Sequence, residues 1–168
     1  NGGAIPHGVL RSVIPAAPGA WTTALSEFGT MTFAEVAASP IKYARDGFAM
    51  HPTMHDTLQN TRDQLMRWPQ TAEIYLPGGQ VPEVGDNFVQ SDLGKTLQYL
   101  ADEETAASGS REDKIEAARK AFYEGDPAQA IAKYHKDNDG LMTADDLKEF
   151  RVEVEDPISR NYFGFDIY

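Results

Sequence analysis

The sequence of 168 residues contains no cysteine. That excludes disulfides, thiolate nucleophiles and cysteine-ligated zinc, and it fits an oxidising or a reducing compartment equally well. Positive charge is also scarce, with 15 Lys and Arg against 26 Asp and Glu and a formal net charge of −11. Binding a phosphate backbone needs clustered Lys and Arg, so sequence-independent nucleic-acid binding is excluded and acidic partners are disfavoured. No apolar run approaches the roughly 18 residues that a membrane-spanning helix needs. Internal repeats, low-complexity tracts and a Gly-x-Ser-x-Gly nucleophile elbow are all missing. Residue 1 is Asn, whereas an N-terminal nucleophile must be Thr, Ser or Cys so that its own free amine can serve as base. Asn1-Gly2-Gly3 leads straight into Pro6 with nothing resembling a signal peptide, which in an internal piece says nothing about export.

What is present reads as globular. A content of 41% hydrophobic and 10% aromatic residues is ordinary for one domain with a sizeable core, here taken as residues 1–168. Pro18 suits the first turn of a helix running to Phe28, where Gly29 stops it. Thr32 and Glu35 form a capping box. The helix they start is expected to end near Pro40, because a proline restricts the residue before it, and Ser39-Pro40 is expected to start another that Gly47 closes. A further helix is expected over about 53–67, ended by Trp68-Pro69, with Met54, Leu58, Leu65 and Met66 on its apolar face.

Residues 72–76 and 81–84, joined by Pro77-Gly78-Gly79-Gln80, are expected to form a short extended hairpin. Leu93, Leu97 and Leu100 then mark one face of a helix. The acidic, small-residue stretch 102–109 is expected to be a mobile surface loop. Ser110 with Asp113 caps a helix to about Tyr123, Asp126-Pro127 begins another, and Thr143 with Asp146 caps a short one ending near Phe150. Val152 and Val154 alternate with charged residues, and Tyr162, Phe163, Phe165 and Ile167 follow Pro157. That pattern reads as strand, turn, strand.

Few residues have the types that chemistry needs. His135-Lys136-Asp137-Asn138-Asp139-Gly140, running on to Asp146, imitates an EF-hand loop with Asp137 and Asp139 at positions three and five. His135 at position one and the short Asp146 at position twelve are poor ligands for calcium, and no second EF-hand is present to pair with it. His51 and His55 have the i, i+4 spacing of zinc proteases, but Pro52 stands where the general-base glutamate would be and makes His51 an N-cap. His7 is isolated. Ser108-Gly109-Ser110 fits turn chemistry. Asp145 and Asp146 are neighbours that point in different directions on a helix. No catalytic, cofactor or metal residue is assigned from these patterns.

A series of short motifs says more. In order they are Pro18-Gly19-Ala20-Trp21, Phe28-Gly29-Thr30-Met31, Ala44-Arg45-Asp46-Gly47-Phe48, Phe122-Tyr123-Glu124-Gly125-Asp126, Gly140-Leu141-Met142-Thr143, Asp146-Leu147 and Tyr162-Phe163-Gly164-Phe165. From about Pro15 to Tyr168 the chain resembles the middle of the large subunit of the gamma-glutamyltranspeptidases, N-terminal-nucleophile hydrolases. The resemblance implies an α+β fold, predominantly helical, a segment of an αββα large subunit with a short hairpin and C-terminal strands. It also implies partners: the remaining large-subunit segments and a catalytic small subunit that begins with the threonine nucleophile. Family relatives act on gamma-glutamyl amides or other amides, and a periplasmic or secreted location is compatible with them. The family's carboxylate-binding arginine lies well upstream of the Pro-Gly motif, so its role is not carried onto Arg11. The alternative reading is a free-standing helical binding module, calcium-binding through residues 135–146.

Overall fold

The computed structural model describes residues 7–168. After a 3₁₀ turn at Gly8–Arg11 come the helices α1 (Ala17–Phe28), α2 (Phe33–Asp46), α3 (Pro52–Leu65), α4 (Pro69–Tyr75), α5 (Ser91–Ala106), α6 (Arg111–Tyr123), α7 (Asp126–Asp137) and α8 (Ala144–Glu149). Two short antiparallel ribbons complete the set. One pairs β1 (Phe48–Ala49) with β2 (Asn87–Phe88), and the other pairs β3 (Arg160–Tyr162) with β4 (Phe165–Ile167). The protein is mostly helical with few short strands. Asn1, Gly2, Gly3 and Pro6 lie outside the described residues.

The principal core lies where α2 packs on α5 and α5 on α6, with α1 against α6. Phe33, Ala37, Ile41 and Ala44 form one buried stripe along α2. This stripe explains the first correction. The expected break at Pro40 does not occur, and α2 runs unbroken from Phe33 to Asp46 with Pro40 inside. An interior proline costs about 3 kcal/mol. Burying Phe33 and Ile41 contributes about 1.5–3 kcal/mol each, and a break at Pro40 would turn Ile41 away from α5. Gly94 lets α5 approach closely, since a Cβ there would come within 3.3 Å of the Arg45 backbone nitrogen.

Long-range side chains finish the helix ends. At the start of α2, Thr32 Oγ1 accepts from the Glu35 N–H at 3.2 Å and Glu35 returns a bond to the Thr32 N–H at 2.8 Å. The Glu104 carboxylate accepts from the Phe33 and Ala34 N–H groups, both at 2.7 Å. All the first-turn donors of α2 thereby find partners. Glu104 belongs to the stretch expected to be a mobile loop. Residues 102–106 are instead the last turn of α5, and only 107–110 connect it to α6. Their small, charged composition hid a buried carboxylate whose partners lie some 70 residues away.

Helix α1 is held at both ends by α6. The fully buried Tyr123 donates its hydroxyl proton to the Pro15 carbonyl at 2.6 Å and accepts from the Gly19 N–H at 3.0 Å. At the other end the Arg111 guanidinium donates to the carbonyls of Leu25, Ser26 and Met31 at 3.0–3.2 Å. Of these, the Ser26 carbonyl belongs to the last turn of α1, whose carbonyls lack the full set of intrahelical donors.

A second core of Met50, Leu58, Leu76, Val81 and Phe88 sits under α3 and α4. Here the expected hairpin over 72–84 is overturned. Pro69 starts helix α4, which takes in Ala72–Tyr75, and Pro77–Gly79 forms a 3₁₀ turn. The short apolar run suited either state, and Ala72 and Tyr75 reach this core from the helix while Leu76 reaches it from the residue that ends it. The strand pairing that does exist, Phe48 opposite Phe88 and Ala49 opposite Asn87, spans the whole α3–α4 excursion. Gly47 makes the turn into β1 with φ +92, a conformation that disfavours any side chain, and Asn87 packs where its Cβ would stand.

Leu147 of α8, Ala128 of α7 and Tyr123 form a third core. Beyond α8, the strand expected at Val152 and Val154 is absent: 151–159 has no regular structure. The ribbon forms later, as a two-residue hairpin whose turn residues Phe163 and Gly164 both have positive φ, 50 and 86. That is the backbone a type I′ turn requires.

Candidate functional site

Among the described residues, a concavity lined by both charged and hydroxyl side chains lies between α1 and α6 and is closed at one end by Phe150, Arg151 and Val152. Its volume is about 180 Å³. Thr22, Thr23 and Ser26 come from α1, and Glu116, Arg119 and Tyr123 from α6. Arg119 is buried and pairs bidentately with Glu116, Nε to Oε2 at 2.7 Å and Nη2 to Oε1 at 2.9 Å. Its guanidinium carbon stands 5.6 Å from the Tyr123 ring centroid, a cation–π placement, and Glu124 lies at 3.8 Å. Nη1 has no hydrogen-bond partner among the described residues.

The charges here are tied to each other. The hydrogen bonds that Arg119 donates to Glu116 raise its guanidinium above its ordinary value, burial opposing them. Burial pushes the Glu116 carboxyl up, but the hydrogen bond and charge of Arg119 outweigh it and leave it lowered. Burial raises the Tyr123 hydroxyl, against the bond from Gly19 and the Arg119 charge. None of these groups is poised as a base near neutrality. An acid–base or nucleophilic pair needs a hydroxyl beside a free base, and the Thr22 hydroxyl instead donates to the carbonyls of Pro18 and Gly19. The cleft builds a polar brace between two helices.

The residues singled out in the sequence are dispersed and engaged in holding the backbone. His135 is buried, its Nδ1 accepts from the Met142 N–H at 3.2 Å, and its carbonyl accepts from the Gly140 N–H at 2.7 Å. It organises the turn from inside and presents no ligand at its surface. Asp146 Oδ2 receives the N–H and hydroxyl of Thr143 at 2.8 and 2.7 Å, while Asp137 is paired with Lys133. His51 Nδ1 accepts from the Thr53 N–H at 3.2 Å, the N-cap role expected of it. His55 Nδ1 instead lies 2.9 Å from the Pro82 carbonyl, to which it donates. Ser110 caps α6 in a box with Asp113. Arg11 ends the first 3₁₀ turn and is exposed.

Sequence reading missed two long-range braces, Glu104 and Arg111. Glu104 stood unremarked in an acidic run. Tyr123 was visible only as part of Phe122-Tyr123-Glu124-Gly125-Asp126, with no pattern to indicate that its hydroxyl reaches Pro15 and Gly19.

Comparison with known proteins places this architecture. The family model described as gamma-glutamyltranspeptidase matches residues 3–168. The chain is 32% identical over 167 residues to the glutathione hydrolase-like YwrD proenzyme of Bacillus subtilis, covering 98% of this chain and 29% of that protein. It is 31% identical to the acylase ACY 1 proenzyme of Pseudomonas sp. (strain V22), covering 95% of this chain and 26% of that protein. The gamma-glutamyltranspeptidase structure of Helicobacter pylori superposes with a TM-score of 0.81 at 27% identity, covering 95% of this chain and 42% of the other. The chain thus spans less than a third of the length of these two curated relatives. With the match running through the braced helices and the terminal hairpin alike, the chain belongs to the gamma-glutamyltranspeptidase family.

Proposed function

We propose that this chain is the non-catalytic helical portion of the large subunit of a gamma-glutamyltranspeptidase-like amide hydrolase or acyltransferase, folded as a single domain over 1–168. In this reading the threonine nucleophile begins a separate small subunit cut from the same precursor, and the helices described here pack beside the sheets of an αββα core. The observation that carries it is the commitment of the chemically apt side chains. His51, Ser110, Thr143 and Asp146 cap helices, and Arg119 and Glu116 neutralise each other. Relatives called proenzymes, three to four times longer than the aligned stretch, fit a piece that supports a site completed elsewhere. Names such as glutathione hydrolase and acylase point to amides as the substrate class.

The test is a chromogenic gamma-glutamyl anilide assay on the 168-residue chain, on the intact parent protein and on a buffer blank. Turnover is expected from the processed parent and from neither of the other two. Hydrolysis by the isolated chain well above the blank would overturn the reading.

A further inference from the structure

A groove between α1 and α2 has no role in the brace just described. Trp21, Leu25 and Phe28 form one wall and Phe33, Val36 and Pro40 the other, around a volume of about 560 Å³. These residues lie on adjacent turns of each helix, so the apolar surface is continuous along the groove. Much of it meets solvent: Phe28 is 75% exposed, Trp21 51% and Val36 42%. A cluster of this kind left uncovered is a site of association. Ligand pockets of such size carry a few convergent polar groups that orient the ligand. Here the indole N–H of Trp21 is the only polar side-chain group on the walls. The groove therefore fits apolar side chains better than a polar small molecule.

Pro40 adds a second feature. Lacking an N–H, it removes the helical donor that residue 40 would give to the Val36 carbonyl. The Val36 carbonyl, on a residue that lines the groove, therefore lacks the donor that a regular helix would supply from the next turn.

We infer that this groove is the seat of an apolar segment carried by the remainder of the same precursor, which buries Trp21, Phe28 and Val36 and donates a hydrogen bond to the Val36 carbonyl. The inference rests on the proposed function and adds the contact surface to it. Two observations favour this occupant over a second copy of the chain. The curated relatives extend well beyond the aligned stretch, which covers 29% and 26% of their lengths, so ample chain exists to fill the groove. Two copies would each bring a net charge of −11, and two concave grooves cannot fill each other.

This stretch contains no cysteine, so each thiol introduced into it is new, and labelling of the unsubstituted parent is subtracted as background. Phe28→Cys and Val36→Cys are introduced singly into the intact parent protein, with Lys95→Cys, at a site whose side chain is 77% exposed, as the open control. Thiol labelling at the two groove positions is expected to run at least about ten-fold slower than at the control, and to become equal on denaturation. Equal rates in the native parent would overturn the inference. So would protection that vanishes on dilution with a matching fall in mass by light scattering, because the groove would then be filled by another copy. The anilide assay on the same samples separates the two ideas. Fast labelling in a parent that still turns over removes the groove inference and leaves the scaffold reading intact.

Discussion

At the scale of single residues, Tyr123 concentrates more structural work than any side chain that chemistry alone would nominate. Its ring fills the junction of α1, α6 and α8 against Phe122 and Phe150, and its hydroxyl serves both Pro15 and Gly19. Tyr123→Phe keeps the ring and strips both hydrogen bonds. Leaving a buried donor and a buried acceptor unpaired costs about 1–3 kcal/mol. A loss of that size is expected in urea unfolding of the purified protein, with little change in m-value. An unchanged midpoint would mean that water replaces the hydroxyl and that α1 is held chiefly by Arg111. Glu104 works by the same logic at the start of α2, where a carboxylate also meets the positive end of the helix dipole.

At the scale of elements, three helices begin in the same way, and their chemistry sets a pH dependence. Glu35, Asp113 and Asp146 each close a capping box at the start of α2, α6 and α8. Each is held below its ordinary value, Glu35 and Asp113 first by the backbone bond and then the side-chain bond of Thr32 and Ser110, Asp146 first by the Thr143 hydroxyl and then its N–H. A folded-state value below the unfolded one means that the unfolded chain takes up protons first as pH falls. The stabilisation is therefore complete above the ordinary values of 4.5 for glutamate and 3.8 for aspartate, and disappears as pH falls through the lowered folded values. Stability from urea titrations is expected to be flat near neutrality and to decline below about pH 4.5. In the combined variant Glu35→Gln, Asp113→Asn, Asp146→Asn the decline should be shallower. An identical slope in the variant would place the acid sensitivity elsewhere.

These caps also show what was legible beforehand. A capping box is written within four residues, so Thr32/Glu35, Ser110/Asp113 and Thr143/Asp146 were all readable from sequence, as was the N-cap role of His51. The readings that failed depended on distant partners. Pro40 stays helical because α5 lies along the opposite face, residues 102–106 stay ordered because Glu104 reaches α2, and Ala72–Tyr75 choose a helix because a separate core receives them. The alternation at Val152 and Val154 lacked a neighbouring strand, and Val152 instead packs toward Gly19. The site residues fared similarly. Local signals marked Ser110 correctly as a cap residue but said nothing of the buried His135 that organises the turn before α8, while the Arg119–Glu116 brace lay at an i, i+3 spacing common on exposed helices.

At the scale of the whole molecule, the separate cores imply unequal stability. The α1, α2, α5, α6 core is bound by extended helix–helix contact and by the reach of Tyr123, Arg111 and Glu104. The α3–α4 excursion has a small core of its own, and its helices pack mainly on each other and on the 3₁₀ turn after α4. It is fastened to α2 and α5 where β1 meets β2, by the Gln90 N–H to the Ala44 carbonyl at 2.9 Å and by Asn87 Nδ2 to the Asp46 carbonyl at 3.1 Å. Regions with fewer buried apolar contacts open at lower free energy than the global transition. Native-state hydrogen exchange is expected to resolve this as two classes. Amides of α3 and α4 should exchange through a sub-global opening with weak denaturant dependence, and the buried stripes of α5 and α6 should exchange only through global unfolding. Asn87→Ala, which removes one fastening while leaving both cores filled, should speed the first class and leave the second unchanged. A single exchange class across α3 to α6, shifted as a whole by that substitution, would show that the two cores unfold as one.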